Sequence, residues 1–388
     1  MNQRFKIAIW VIMTLALTCG FLHHIVPPAV MNFERLHIFL FNLCSGGTLI
    51  IYFTEGRRQL SIRATIFLVL ALAFAFCAFL GWYTATLMIP LVLAGIVESV
   101  RVSHFGSCIP RALFSPWEST SRKFHQASLL CLSLGLTTSS LAILNDQFGH
   151  WLVLEKLKLD TFFLGFSFPV SLISMSVIFS LMKNDPKPRI AFFKELSFWI
   201  INLGVIVFFL FILARWFIPQ VAISVILFLA VVLILFLYWR QGMRLQQKAF
   251  LTSGILFLLI TSISGIFYIL LVFSAPYDLQ TNLPLLRMHA FTALYGWNLS
   301  GLAVISRHGD FPIQLHSQKV ILLHWLTVVI LCPLGYFFPV FAILAVLCYG
   351  WLLFILFFSQ GQVDRSVVRA EEKVLTGDEE ERSWNNSL

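Results

Sequence analysis

The chain has 388 residues, 59% of them apolar and only 12% charged, with a net charge of +9. That is too little polar surface to wrap a water-soluble core of this size, so a soluble globular fold is excluded. The basic excess is no nucleic-acid footprint, because it is spread over short connections where an anionic lipid leaflet accounts for it.

Hydrophobic runs of about 18 to 22 residues recur from end to end, the length a helix needs to cross about 30 Å of hydrocarbon. Leu, Ile, Val and Phe surround each run and do not alternate as barrel strands require. The pattern predicts an all-α, polytopic transmembrane helix bundle of twelve spans. In chain order they are Lys6–His24, Arg35–Thr54, Ile62–Gly81, Thr84–Val100, Gln126–Asn145, Thr161–Met182, Phe198–Phe217, Val221–Trp239, Ala249–Phe273, Leu286–Ser306, Val320–Phe337 and Phe341–Ser359. The fourth is short, carries Pro90 and reaches Glu98 before it ends, which leaves a re-entrant segment open. Met1–Gly20 has the basic start and apolar run of a secretion signal. It lacks a small-x-small cleavage site and its apolar run continues to Phe21, so an uncleaved first span is expected.

Orientation follows from Lys and Arg. With the amino terminus inside, 22 of the 27 fall on inner segments, leaving Arg35, Lys156, Lys158, Arg215 and Arg287 outside. The positive-inside rule therefore gives a multi-pass protein of the cytoplasmic (inner) cell membrane with both termini in the cytoplasm. The bundle fills residues 1–360. Residues 361–388, with the run Asp378-Glu379-Glu380-Glu381, read as a polar acidic cytoplasmic tail without fixed structure. Two connections have an interfacial pattern: Arg101–His125, with Pro110, Pro116 and Trp117, and Asp146–Asp160, with Trp151, Leu154, Glu155, Lys156 and Lys158. The seven cysteines are scattered without a CxxC and read as small packing residues.

No P-loop, GxGxxG, HExxH or GxSxG signature is present, which leaves histidine as the candidate chemistry. His23, His24, His37 and His289 lie near the outer ends of spans, His150 lies in an outer loop, and His104, His125, His308, His316 and His324 lie on the inner side. Spans six to nine have none. Two outer histidines share a local context. Arg35-Leu36-His37 is followed by Phe41-Asn42-Leu43, and Arg287-Met288-His289 by Trp297-Asn298-Leu299, with the second block displaced by four residues.

Below His289, one, two and three turns on, stand Ala293, Gly296 and Ser300, a groove of small side chains; below His37 at the same offsets stand Phe41, Cys44 and Thr48. A neutral imidazole above small or aromatic walls suits a flat porphyrin. Arg35 and Arg287, two residues outward, are placed to bond its propionates. Copper would accept the imidazoles but would not explain the arginines. The competing reading makes each histidine a polar helix cap and each arginine a headgroup anchor. As sequence neighbours on a helix, His23 and His24 cannot both face one site.

These segments resemble the histidine-bearing spans of the haem–copper oxidase superfamily and, more closely, the NnrS family of twelve-span haem- and copper-containing proteins. The residues that carry the resemblance are His37 with Phe39 and Phe41, then His289-Ala290-Phe291-Thr292, Gly296, Gly301, Arg307 and His316, about an eighth of the chain. The resemblance implies a haem b or copper group held by His37 and His289, with His23 or His24 as the alternative to one of them. Departures matter: no histidine stands in spans six to nine, Ala290 and Phe291 follow His289 in place of a His-x-His, and Gln314-Leu315-His316-Ser317 replaces Gly-His-Thr-Gly. Dioxygen reduction at a haem–copper centre is therefore not expected.

The reading is a bilayer protein with an outer-leaflet haem or copper site between spans one, two and ten, in electron transfer or the handling of nitric oxide, with a redox partner or small-molecule ligand. The alternatives are a transporter, in which Pro90, Asn42, Asn202 and Asn298 mark a midplane path, and a ligand-free assembly scaffold. No carboxylate stands deep in a predicted span, which weighs against proton coupling.

Overall fold

The computed structural model describes residues 1–27, 30–31, 33–56, 59–151, 163–183, 187–243, 247–273, 279–307 and 317–360. Among them regular structure is helical, apart from one isolated backbone bridge between Met182 and Gly242.

Ten helices are long and apolar enough to cross a membrane: α1 (Gln3–His24), α2 (Arg35–Glu55), α3 (Ile62–Leu80), α4 (Tyr83–Phe105), α5 (Thr120–Gly149), α7 (Pro188–Ala214), α8 (Phe217–Gln241), α9 (Lys248–Phe273), α11 (Gln318–Phe337) and α12 (Pro339–Phe358). Between them stand a shorter apolar helix, α6 (Gly165–Ser180), and a continuous helical run, α10 (residues 279–306). These are the predicted segments in the predicted order, so the chain is an integral membrane protein built from helices.

Local chemistry sets the ends. Ser61 opens α3 by accepting from the Ala64 amide at 3.0 Å, a cap worth about 1 kcal/mol. Gly81 and Gly106 close α3 and α4 at φ +74, a backbone that a side chain would strain. α4 is one continuous helix with Pro90 inside it, and it runs on to Phe105. Glu98 therefore lies inside the helix and not at its end, with its side chain 36% exposed. It bonds Arg101 at 2.8 Å and accepts from Ser133 of α5 at 2.5 Å, one turn or more inside the helix. α7 starts ten residues before the predicted span because Pro188 takes the first helical position, where its missing N–H costs nothing.

α2 is the most enclosed of the ten long helices. It holds a π-helical stretch, Phe39–Gly47, and α10 holds another, Thr292–Asn298; a third, Phe163–Ser167, leads into α6. A π turn inserts one residue and shifts the hydrogen-bond register, which re-aims the side chains that follow it. Close crossings lie in or near these three stretches; two further π-helical stretches, Asn145–Gly149 and Leu326–Leu331, lie in α5 and α11. A Cβ on Gly46 of α2 would stand 2.6 Å from Val170 of α6, and Gly301 of α10 leaves no room for one against Ser174 of α6. Gly135 of α5 and Gly165 cross backbone to backbone. Small residues at such crossings are what hold helices together where lipid offers no hydrophobic drive.

At the Glu55 end of α2 the buried cations are all satisfied. Lys123 bonds Glu195 of α7 at 2.6 Å, Arg101 donates to the carbonyls of Ser107 and Cys108, and Arg307 donates to those of Leu356, Phe357 and Ser359, where α12 ends. His125 sits with them: Thr54 gives its own proton to the Ile50 carbonyl, so the imidazole Nε2–H donates to Thr54 Oγ1 at 2.8 Å.

Candidate functional site

His37 lies between the first, second and tenth helices. Its ring rests against Gly20 of α1, where a Cβ would stand 3.7 Å away, and runs nearly parallel to Tyr295 of α10, with centroids 6.4 Å apart. The side chain is buried and its Nδ1 has no hydrogen-bond partner. Phe41, one turn on, packs edge-on to Tyr295 at 5.0 Å. Tyr349 of α12 meets the other side of Tyr295 at 5.2 Å, and both phenol oxygens are buried without a partner. An unpaired buried polar atom costs about 1–3 kcal/mol, and three of them, His37 Nδ1 and the Tyr295 and Tyr349 hydroxyls, stand in this aromatic group.

His289 faces the other way, toward α9. Its Nδ1 lies 2.9 Å from the Thr261 carbonyl and 3.3 Å from Ser264 Oγ, and its Cε1 stands 3.1 Å from where a Cβ on Gly265 would be. A ring nitrogen held by a backbone carbonyl fixes the tautomer and leaves Nε2 as the lone-pair nitrogen, the arrangement metal-binding histidines use. No ring contact joins His37 and His289 among the described residues. The groove predicted beneath His289 is filled: Phe257 of α9 packs on Gly296, and Gly254 of α9 on Ser300. Spacing along one helix could not show that a neighbour would take up this face.

The remaining residues expected at the outer face form a separate group. The helix tightens to a 3₁₀ turn at Leu22–His24, so both imidazoles reach the end of α11, against the expectation that only one could face a given site. His23 Nε2 donates to the Tyr336 carbonyl at 2.8 Å, His24 Nε2 to that of Gly335 at 2.7 Å, and the two rings are 4.2 Å apart. They cap the last turn of α11, whose carbonyls have no partner within the helix. Arg287 lies over the Tyr336 ring at 4.4 Å, a cation–π contact, while Arg35 is exposed.

His324, which the sequence placed with the inner histidines, and Tyr349 both prove close to this site. His324 Nε2 donates at 2.7 Å to the carbonyl of Tyr295, a residue inside the π-helical stretch of α10, and its Nδ1 is buried without a partner. Tyr349 carries no sequence signal at all; only packing places it. Of the midplane asparagines, Asn42 and Asn298 meet, whereas Asn202 donates to the Phe198 carbonyl of its own helix. His308, His316, most of the loop before α6 and the acidic tail lie outside the described residues.

Among the described residues no three His, Cys, Asp or Glu side chains are grouped as a metal ion would require. A haem asks for one or two imidazoles with aromatic or small walls; of the residues expected to hold it, His37 is the one with aromatic side chains and a glycine around it and an unpartnered ring nitrogen. No protein-family model, curated protein or solved structure matches this chain.

Proposed function

We propose that this chain is a twelve-span protein of the cytoplasmic membrane with both termini inside, and that it holds haem b at the outer third of the bundle. His37 and His289 are the residues that would hold the iron. Copper on the same imidazoles is the lesser alternative. Such a group would supply one-electron chemistry, fit for electron transfer or for handling a small redox-active molecule such as nitric oxide. The observation that carries the reading is the His37 imidazole, buried between α1, α2 and α10 with Nδ1 unpartnered beside the phenols of Tyr295 and Tyr349. Phe41 and Tyr295 provide aromatic walls, and Gly20 provides clearance. Because His289 looks to α9, His37 is the principal ligand and His289 an anchored second imidazole that a turn of α10 would bring round.

Absorption spectroscopy of detergent-purified protein, expressed with ample haem, tests this. A Soret band that moves on reduction, disappears in His37→Ala and weakens or shifts in His289→Ala is expected. Colourless protein, or a band indifferent to both substitutions, removes the haem reading; metal analysis of the same material decides copper.

A further inference from the structure

The connections from α6 to α7 and from α8 to α9 leave the bundle side by side and are tied through their backbones. The Lys183 amide donates to the Gln241 carbonyl and the Met243 amide to that of Leu181, both at 2.8 Å. Two ammonium groups pin the pair. Lys194 Nζ donates to the Lys183 carbonyl at 3.1 Å, and Lys248 Nζ to those of Trp239 and Gly242 at 3.1 and 2.9 Å. Their charges thus stand at fixed places beside the exposed side chains of Lys183, Arg189 and Arg240. Other cations on this side, which the positive-inside rule places in the cytoplasm, are met by the chain's own acceptors: Arg101 by Glu98, Arg122 by Glu118, Lys123 by Glu195 and Arg307 by the carbonyls that end α12. No described carboxylate stands against Lys183, Arg189 or Arg240. Aromatic side chains flank them instead. Phe192 near the start of α7 and Phe236 and Trp239 near the end of α8 are exposed, and the Arg240 guanidinium lies 4.6 Å over the Phe236 ring.

We propose that these two joined connections bind the headgroup of an anionic phospholipid, a phosphate whose charge no choline or ethanolamine offsets. A cluster of about four to eight Lys and Arg just beyond the ends of membrane helices is what such headgroups select. The backbone ties hold the cluster on one surface, so little of its freedom is lost when a lipid arrives. The aromatic side chains fix the source of the phosphate. Phe and Trp at helix ends rest between headgroups and acyl chains, so a phosphate carried on a lipid gains apolar contact that a free phosphate lacks.

Native mass spectrometry of the full chain, released from micelles holding equal amounts of phosphatidylglycerol and phosphatidylcholine, tests this. Phosphatidylglycerol is expected to stay on the protein in several-fold excess, and that excess to fall about fivefold for each charge removed by Lys183→Gln, Arg189→Gln and Arg240→Gln. Arg63→Gln, Arg111→Gln and Lys319→Gln together, which remove three exposed cations from the same side but outside the joined connections, leave it unchanged. Trp239→Ala lowers it, and soluble glycerol phosphate does not compete. Should the triple platform variant not assemble, Arg240→Gln alone must still lower retention. Equal retention of both lipids by the native protein overturns the proposal, and so do equal losses in the two triple variants, which would mean general inner-side charge only. Competition by glycerol phosphate would mean a free-phosphate site and overturn it as well. A several-fold rise on neutralising Asp378, Glu379, Glu380 and Glu381 in the full chain would make the acidic tail the occupant and do the same. The measurement reads neither the colour of the protein nor the leaflet, so it stands or falls apart from the haem reading.

Discussion

Asn298 of α10 donates to Asn42 of α2 at 3.3 Å although the two residues are 256 apart in the chain. Each belongs to an aromatic-Asn-Leu triplet, Phe41-Asn42-Leu43 and Trp297-Asn298-Leu299, and each triplet lies in or at the end of a π-helical stretch. The weak similarity between the two segments thus has a physical counterpart: like turns bring like amides to one crossing.

The pair is expected to couple the two helices. Asn42→Ala and Asn298→Ala should each lower stability by about 1 kcal/mol, and the double variant should lose less than their sum by about 0.6 kcal/mol, the usual size of a hydrogen bond between helices in a membrane. Unfolding of the four proteins in mixed micelles measures this. Strict additivity would show that the 3.3 Å contact carries no energy.

The two candidate ligands rest on glycines of unequal tolerance. A Cβ on Gly20 would meet the His37 ring at 3.7 Å, an ordinary contact, while one on Gly265 would meet the His289 ring at 3.1 Å and force it to move. Gly20→Ala should therefore keep native stability, Gly265→Ala should lose about 1 kcal/mol, and Gly135→Ala, whose Cβ would enter the Gly165 backbone, should lose about 3 kcal/mol or fail to assemble. Thermal aggregation in detergent ranks the three, and equal midpoints for Gly20→Ala and Gly135→Ala would contradict the crossing.

Span positions were legible because hydropathy and length are properties of single segments, and the ten long apolar helices fall on ten of the expected spans. His37 was expected to meet the histidines of spans one and ten, whereas the residues that flank its ring are Gly20 and Tyr295, and His23, His24 and His289 face other helices. What could not be read is which face of a helix a neighbour takes. The small groove under His289 signalled close packing as well as a ligand, and Phe257 of α9 settled the matter by occupying it. π turns were equally hidden, since one inserted residue leaves the hydrophobic pattern intact while re-aiming Tyr295 and Asn298. His23 and His24 were misjudged because a helical spacing was assumed where the chain tightens to a 3₁₀ turn.

Lys123 is 1% exposed and bonds Glu195, which also accepts from the Trp199 indole at 2.8 Å. Removing one partner leaves the other buried or half-buried without compensation. Glu195→Gln is expected to cost about 1–3 kcal/mol, less than for a pair sealed from solvent because Glu195 is 34% exposed. Lys123→Met, which replaces the stem and drops the charge, should cost less when combined with Glu195→Gln than alone. Chemical unfolding of the three variants decides it, and an Lys123→Met loss unchanged by Glu195→Gln would mean the ion pair does not couple α5 to α7.

Cys108 gives the sharpest handle on orientation. It is exposed in the connection between α4 and α5, whereas Cys44 and Cys332 are buried and Cys19, Cys77, Cys131 and Cys348 are partly covered. The same connection holds Arg111 and ends at Arg122 and Lys123, the basic cluster that the positive-inside rule places in the cytoplasm. Trp117 and Phe114, 94% and 70% exposed, lie there as well, where aromatic side chains can rest in the headgroup layer. A membrane-impermeant maleimide should therefore label the protein in inside-out vesicles and not in intact cells, and Cys108→Ser should remove most of that labelling. Labelling of Cys108 from the outer surface would invert the whole topology and move His37, His289 and their aromatic surroundings to the cytoplasmic half of the membrane.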